Sequence, residues 1–390
     1  MVGSFKFAVT PEIIFGSGKR SALTSCIKIF GSQTLLITGE KSLVSSPFWE
    51  EIISKLSTEK VKWEHETIIG EPSPEIIDRI SNQYNSKQID CIVAIGGGSV
   101  LDAGKAISAM IGKKESVVDF LEGVGSASPD GSKIPFIALP TTSGTGSECT
   151  KNAVISRVGK NGFKKSLRHD NFVPNVAIVD PELTLMTPSN VTASSGMDAF
   201  TQLLESYLSN AANEITDALA IDALDKIRTG LPAVMKDGSN LKGREAMSYA
   251  AMISGITLAN AGLGTVHGFA SSIGGLFNIP HGVICGTLMG ACNDQTVKSL
   301  KGNNSDSAAF NKYAKVGKLF SRKAHKSEAY HIEFLLELIH RWTEKFKIPT
   351  LSKFGVDKSA FQNILSNTSN KNNPVDLNQD QLIEILEKRL

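Results

Sequence analysis

The chain has 390 residues, of which 41% are hydrophobic and 21% are charged. This length and composition allow two globular domains with apolar cores and exclude a disordered or collagen-like chain. The formal net charge is only +2, and Lys and Arg are spread along the sequence. No basic surface for nucleic acid or an anionic membrane is therefore predicted, and a small-molecule partner is favoured.

Targeting and redox signals point to the cytoplasm. Residues 1–16 mix Lys6, Pro11 and Glu12 into their apolar residues, which is not typical of a secretory signal. No apolar stretch approaches the roughly 18 residues of a membrane span. The five cysteines are widely spaced and form no C-x-x-C pair. We expect reduced core thiols rather than disulfides or a thiolate zinc site.

The first half of the chain alternates short apolar runs with helical patterns. Such a rhythm predicts a parallel, Rossmann-like sheet covered by helices. The predicted strands are 34–38, 91–95, 136–139 and 176–179, and the predicted helices include 47–56 and 75–85. Residues 153–169, with a turn around Gly159 to Gly162, predict an inserted β-hairpin.

Strand patterns disappear after Pro181, and Ala-, Leu- and Met-rich stretches predict helices at 198–208, 214–229, 244–262, 327–345 and 381–389. The expected fold is an amino-terminal α/β dinucleotide-binding domain, residues 1–184, followed by an all-α domain, residues 185–390. The Asn- and Ser-rich segment 366–373 is expected to be a solvated connection.

Three consecutive glycines and Ser99 occupy residues 96–99, between a predicted strand and the predicted helix 100–111. Glycines let a phosphate approach the backbone, and a helix start offers free N–H groups to an anion. The turn is not G-x-G-x-x-G, since Leu101 takes the third position, and Ala106 replaces the hydroxyl of a Walker loop. A purely structural turn is the alternative.

A second polar turn, residues 140–148, is rich in hydroxyl groups and follows the next predicted strand. Turns after neighbouring parallel strands meet at one sheet edge, where open α/β folds bind ligands. The segment therefore predicts donors for the same nucleotide, although an ordinary loop has the same composition.

Three side chains in the second half have metal-ligand chemistry. His267 and His281 stand in apolar or turn contexts, and Asp198 is expected to open a helix. Imidazole and carboxylate groups bind divalent transition metals. A helix-capping Asp198, a core His267 and a turn His281 are the structural alternatives.

These motifs together resemble the iron-containing (group III) alcohol dehydrogenase family over nearly the whole chain. The two turns resemble its nucleotide signatures, the first continuing through Asp102 and Lys105. The remaining family-like motifs follow in the usual order: Asp180-Pro181, Gly196-Met197-Asp198-Ala199, His267, Pro280-His281-Gly282 and Asn373-Pro374.

The resemblance implies a divalent metal, Fe or Zn, and a nicotinamide cofactor that act on a small alcohol, aldehyde or ketone. It also implies a homodimer or a multiple of dimers. Asp198, His267 and His281 would be the catalytic metal ligands. The implied nucleotide contacts are Gly97, Gly98, Ser99 and Asp102 at the pyrophosphate, Thr141, Thr142, Thr145, Ser147 and Thr150 at the nicotinamide side, and Lys164 at a ribose.

Two positions depart from the family pattern. Gln202 replaces the usual fourth ligand, a His one helical turn after the Asp, and its amide oxygen is a candidate ligand on the same helix face. A neutral amide should weaken the binding of Fe(II) and similar ions. Ser271 replaces a His that many members carry near the nicotinamide, so a proton relay through that side chain is excluded.

The end of the first predicted strand bears on the choice between NADP and NAD. Gly39 leaves room for a 2′-phosphate, and Lys41 and Ser42 are candidate ligands for it. These residues favour NADP(H). Glu40 would instead favour NAD(H) if its carboxylate accepted a hydrogen bond from the ribose 2′-hydroxyl.

Two other functions remain open. A lyase that resembles dehydroquinate synthase would need a basic phosphate pocket, and the segments around His267 and His281 are poor in Lys and Arg. A nucleotide-binding protein with a degenerate metal site would explain Gln202 and Ser271. The simultaneous presence of Asp198, His267 and His281 speaks against it.

Overall fold

A six-stranded parallel sheet forms the amino-terminal part of the chain. The computed structural model describes residues 3–160, 162–303 and 308–390, without the side chain of residue 303. The sheet strands are β1 (Glu12–Phe15), β2 (Gln33–Gly39), β3 (Lys62–Ile68), β4 (Cys91–Gly96), β5 (Phe136–Pro140) and β8 (Val176–Val179), in the order β1-β8-β5-β4-β2-β3. The carboxyl ends of β2, β4 and β5 therefore lie side by side.

Helices cover both faces of this sheet: α1 (Leu23–Phe30), α2 (Pro47–Thr58), α3 (Pro74–Tyr84) and α4 (Gly98–Met110). Alternate residues of a strand point to opposite faces. Ile92 and Ala94 of β4 accordingly share a core with α3 and α4, whereas Val93 and Ile95 share a core with α1 and α2. Burial on both faces explains why β4 is apolar throughout.

The carboxy-terminal part is helical. Its helices are α5 (Ser189–Leu208), α6 (Glu214–Lys236), α7 (Leu241–Ala261), α8 (Thr265–Leu276), α9 (His281–Asn303), α10 (Ala308–Ser321), α11 (Glu328–Lys345), α12 (Phe361–Ser366) and α13 (Gln379–Glu387). One large apolar cluster runs through these helices. The predicted fold class, an α/β part followed by a helical part, is confirmed. The exact boundary at residues 184/185 stays a prediction.

The predicted hairpin is also present, as antiparallel strands β6 (Asn152–Arg157) and β7 (Phe163–Arg168). Residue 161 of its turn lies outside the described residues. By contrast, β1 and β3 were not predicted. Among the described residues, each lies at an edge of the sheet. Strand β3 also contains Lys62, Glu64 and Glu66, so its apolar run is interrupted.

The expectation that Asp198 opens a helix is wrong. Helix α5 begins at Ser189, which places Asp198 in about its third turn. Residues 189–196 contain Ser, Thr, Asn and Gly, which have low helix propensity. Burial of most of the helix outweighs that preference.

The segment 366–373 was expected to be solvated, and this expectation is wrong for Asn373. The Asn373 side chain is buried, and its amide donates a hydrogen bond to the carbonyl of Val375 at 2.7 Å.

All five cysteines are buried and free, as predicted. Among the described residues, no single helix has both the length and the apolar composition to cross a membrane. By length and composition alone, α7 and α8 together meet those requirements as a pair that bends by 97° between them.

Candidate metal and dinucleotide site

The two polar turns predicted to hold a nucleotide touch each other at the carboxyl edge of β4 and β5. Helix α4 begins at Gly98, directly after β4. A Cβ at Gly98 would lie 2.7 Å from Thr145 Cγ2, and one at Gly97 would lie 3.5 Å from the side chain of Thr142. Gly98 must therefore lack a side chain because the second turn occupies that space.

The five hydroxyl residues predicted to contact the nicotinamide side fall into two groups. Thr141, Thr142 and Thr145 are partly exposed, whereas Ser147 and Thr150 are buried. The hydroxyl of Ser147 donates to Asp102 Oδ1 at 2.5 Å, and the backbone N–H of Val154 donates to Asp102 Oδ2 at 3.1 Å. Both carboxylate oxygens of Asp102 are thus bonded within the protein and connect α4 to the turn and to the hairpin.

Lys105 holds the second turn and was given no role by the sequence. Its side chain is fully buried, and Nζ donates to the Ser147 carbonyl, the Ser147 hydroxyl, the Thr150 hydroxyl and the Asn152 carbonyl at 2.8–3.1 Å. Burial lowers the pKa of Lys105 to about 8, although nearby Asp102 and Glu148 raise it. Ser147 and Thr150 consequently bond to Lys105.

The remaining predicted nucleotide residues flank these turns. Gly39 ends β2, and a Cβ there would lie 3.8 Å from Val100 in the first turn of α4. Lys41 and Ser42 follow on the same edge and are exposed. Lys41 Nζ lies 3.8 Å from Glu40 Oε2, at the limit of an ion pair.

Lys164 is buried on β7 and donates to Glu71 Oε2 at 2.9 Å. Burial raises the pKa of Glu71, but the Lys164 ammonium lowers it by more, so the pKa lies below its usual value. Glu71 therefore pairs with the hairpin, a connection that no sequence motif indicated. Ser271, where the family often has His, donates to the carbonyl of Lys164 at 3.0 Å.

The predicted metal ligands meet where α5, α8 and α9 approach each other. His267 Nε2 lies 3.3 Å from Asp198 Oδ1, and His281 Nε2 lies 3.6 Å from the same oxygen. Cys285, one turn after His281 on α9, joins them, and the donor atoms of all four residues lie within 4.8 Å of one another. The sequence had assigned Cys285 to the core. The (i, i+4) spacing from His281 was the available signal.

A carboxylate, Glu205, orients His267. It was not identified from the sequence. Glu205 Oε2 lies 2.7 Å from His267 Nδ1, and Oε1 accepts the backbone N–H of Val266 at 2.7 Å. An ionised carboxylate only accepts hydrogen bonds, so this contact assigns the proton to Nδ1 and directs the Nε2 lone pair at Asp198.

This arrangement fits a divalent cation. Asp198 Oδ1 is buried without a hydrogen-bond partner, and facing acceptors such as this oxygen and His267 Nε2 need a cation between them. Burial lowers the pKa of His267, but nearby Cys285, Asp198 and Glu205 raise it well above its usual value, so the surroundings of this imidazole favour a positive charge. Burial lowers the pKa of His281 to about 4, which leaves that imidazole neutral for coordination.

Gln202 lies beside Asp198, but its amide oxygen accepts a hydrogen bond from Ser254 at 3.0 Å. Its amide nitrogen faces Asp198 Oδ2 at 3.4 Å. This orientation makes Gln202 a neighbour that supports the carboxylate. Coordination by its oxygen, expected from the sequence, stays a prediction and would require the amide to turn.

Glu205→Gln should lower the affinity for a divalent cation by about 10- to 100-fold, the usual effect of losing a carboxylate partner of a metal-binding His. The Gln amide can donate to Nδ1, which moves the imidazole proton to Nε2 and blocks coordination. A chelator-competition titration measures the affinity, with the exposed Glu337→Gln as the control. Unchanged affinity in Glu205→Gln would show that Glu205 does not position His267.

Models of one protein family match both parts of the chain. Residues 10–181 match the model "Iron-containing alcohol dehydrogenase", and residues 192–390 match "Fe-containing alcohol dehydrogenase family, C-terminal". The chain is 29% identical to the NAD-dependent methanol dehydrogenase of Bacillus methanolicus (93% of this chain, 92% of the relative). It is 28% identical to the NADPH-dependent butanol dehydrogenase of Clostridium saccharobutylicum (98% and 97%).

The crystal structure of a 1,3-propanediol oxidoreductase superposes with a TM-score of 0.88 at 27% identity and covers 100% of both chains. The sequence matches, the shared fold and the Asp-His-His cluster agree with one another. The chain belongs to the iron-containing alcohol dehydrogenase family.

Proposed function

We propose that this protein is a metal- and NAD(P)-dependent alcohol dehydrogenase that interconverts a small alcohol and its aldehyde or ketone. The observation that carries the proposal is the facing pair of Asp198 Oδ1 and His267 Nε2, with His281 beside them. The second nucleotide turn adjoins this cluster, since a Cβ at Gly144 would lie 2.8 Å from Ser195 of α5, three residues before Asp198.

In this proposal Asp198, His267 and His281 hold the cation, and Glu205 keeps the Nε2 lone pair of His267 available. When bound, the cation supplies a Lewis acid for the substrate oxygen, and the nicotinamide exchanges a hydride with the substrate carbon. Gly97, Gly98 and Ser99 offer backbone N–H groups to the pyrophosphate at the start of α4. Thr141, Thr142 and Thr145 are the accessible hydroxyl groups for orienting the nicotinamide ribose.

Turnover by the metal-loaded protein tests this function. Protein depleted of metal and reloaded with Zn²⁺ or Fe²⁺ should oxidise methanol, 1-butanol or 1,3-propanediol, compounds named for its relatives, with NADP⁺ or NAD⁺. Metal-free protein should bind dinucleotide without turnover. Dinucleotide binding without oxidation under any metal loading would instead support the degenerate nucleotide-binding protein. The lyase is not favoured, because both matching family models describe alcohol dehydrogenases.

The proposed cofactor preference is NADP(H). Gly39 carries no side chain beside α4, and Lys41 presents an exposed ammonium group one residue beyond Glu40. The two relatives above differ in cofactor, one being NAD-dependent and the other NADPH-dependent. Family membership therefore does not decide between the two cofactors.

Lys41→Ala should raise the dissociation constant for NADPH about tenfold and leave that for NADH unchanged, because only the 2′-phosphate loses a charge-assisted hydrogen bond. Calorimetric titration measures both constants, with the exposed Lys114→Ala as a matched control. Tighter binding of NADH than of NADPH by the unmodified protein would contradict the preference and assign the ribose contact to Glu40. The cytoplasmic location and the homodimer remain predictions.

A further inference from the structure

Cys285 occupies the core side of the proposed metal cluster. It is completely buried, and its Sγ lies 3.6 Å from His267 Nε2 and 3.6 Å from His281 Nε2. The side chain of His281 is 24% exposed and that of Asp198 only 2% exposed. The cluster is therefore partly exposed at His281 and buried at Asp198 and at the sulfur.

These separations match those between ligands of one tetrahedral ion. With Zn–N of about 2.0–2.1 Å and Zn–S of about 2.3 Å, a nitrogen and a sulfur ligand lie about 3.6 Å apart, and a nitrogen and an oxygen about 3.4 Å apart. The two N···S distances are both 3.6 Å, and the N···O distances are 3.3 and 3.6 Å.

Two further observations favour Cys285 over Gln202 as the fourth ligand. Asp198 Oδ1, buried and without a hydrogen-bond partner, faces the same space as the sulfur. Gln202, which stands where the family usually has its fourth ligand, directs its amide nitrogen to Asp198 and its oxygen to Ser254. The amide oxygen is therefore not available in this arrangement.

We propose that Cys285 is a fourth protein ligand of the cation and binds it as a thiolate, with the exposed side beside His281 left for the substrate oxygen as a fifth ligand. On binding, the S–H bond breaks, its proton passes to solvent, and a sulfur–metal bond forms with no change of oxidation state. Thiolate ligands favour zinc over Fe(II) at a mixed N, O and S site. Zinc is accordingly the expected metal. This inference rests on the proposed function, because it requires a cation at Asp198, His267 and His281.

Cobalt substitution tests the ligand directly. Metal-free protein loaded with Co²⁺ should show a thiolate-to-cobalt charge-transfer band in the near ultraviolet. The band should be missing in Cys285→Ser and retained in Cys292→Ser, a matched variant of another buried cysteine on α9. The zinc affinity of Cys285→Ser, measured by chelator competition, should fall at least about 100-fold, beyond the effect of losing an outer partner.

The outcomes separate this inference from the proposed function. Stoichiometric Co²⁺ without a charge-transfer band in the unmodified protein overturns thiolate ligation and leaves the dehydrogenase intact. Absence of any stoichiometric cobalt or zinc in the unmodified protein overturns both. The spectrum of the unmodified protein decides the question even if Cys285→Ser does not fold, and Cys285→Ala provides a second variant.

Discussion

Asp198→Asn should remove the bound cation and lower kcat/KM for alcohol oxidation by about a thousandfold or more. A Lewis-acid metal contributes several kcal/mol of transition-state stabilisation, and each tenfold in rate corresponds to about 1.4 kcal/mol. Asn keeps the shape of the side chain but removes the charge of the buried oxygen that faces both imidazoles. Metal analysis and steady-state kinetics measure the two effects.

The same variant should remain folded. An amide N–H at position 198 can donate to an imidazole lone pair, so the metal-free variant should unfold at the same denaturant concentration as the metal-free parent protein, or a higher one. The exposed Asp380→Asn is the control and should retain metal and activity. Stoichiometric metal and full activity in Asp198→Asn would rule out the proposed centre.

The second large effect is expected on stability. Lys105→Met should lower the free energy of unfolding by about 3–5 kcal/mol, because removing one partner of a buried polar network leaves the other groups uncompensated. The Ser147 and Asn152 carbonyls lose a donor, and Asp102, whose Oδ1 lies 3.8 Å from Nζ, loses a nearby positive charge. Guanidinium unfolding measures the change, with the exposed Lys323→Met as the control.

The difference in stability between the unmodified protein and Lys105→Met should depend on pH. Burial lowers the pKa of Lys105 to about 8 in the folded state, from 10.5 in the unfolded chain. Between these values the unfolded chain binds the proton and the folded protein does not, so stability rises with pH. The stability of the unmodified protein relative to Lys105→Met should therefore increase from pH 8 to pH 10.5. A flat or falling difference would show that Lys105 keeps its proton in the fold.

The buried elements of the fold were predictable from residue pattern. Strands β2, β4, β5 and β8 are largely apolar because both sheet faces are covered, and the three glycines that end β4 and follow it are typical of a tight turn. Elements with mixed composition were missed. The edge strand β3 carries charges toward solvent, and the first part of α5 is rich in poor helix formers that only packing holds in a helix.

The residues of the candidate site also divide into those that the sequence identified and those that it missed. Asp198, His267 and His281 were identified from local motifs and family resemblance, because each stands in a short segment with a recognisable pattern. Lys105 stood in the first nucleotide motif, but its partners lie 42 to 47 residues further along the chain. Nothing in that motif indicates which carbonyls surround a buried ammonium group.

Glu205 stood in no motif, and the only signal for Cys285 was its (i, i+4) spacing from His281. Glu205 reaches a histidine 62 residues away, and Cys285 meets His267 only because α8 and α9 pack against each other. Residue type and family resemblance therefore identified the three expected ligands. The tautomer of His267, the orientation of Gln202 and the sulfur beside the imidazoles depend on how distant helices pack, since hydrogen bonds and coordination act over a few ångströms whatever the separation in sequence.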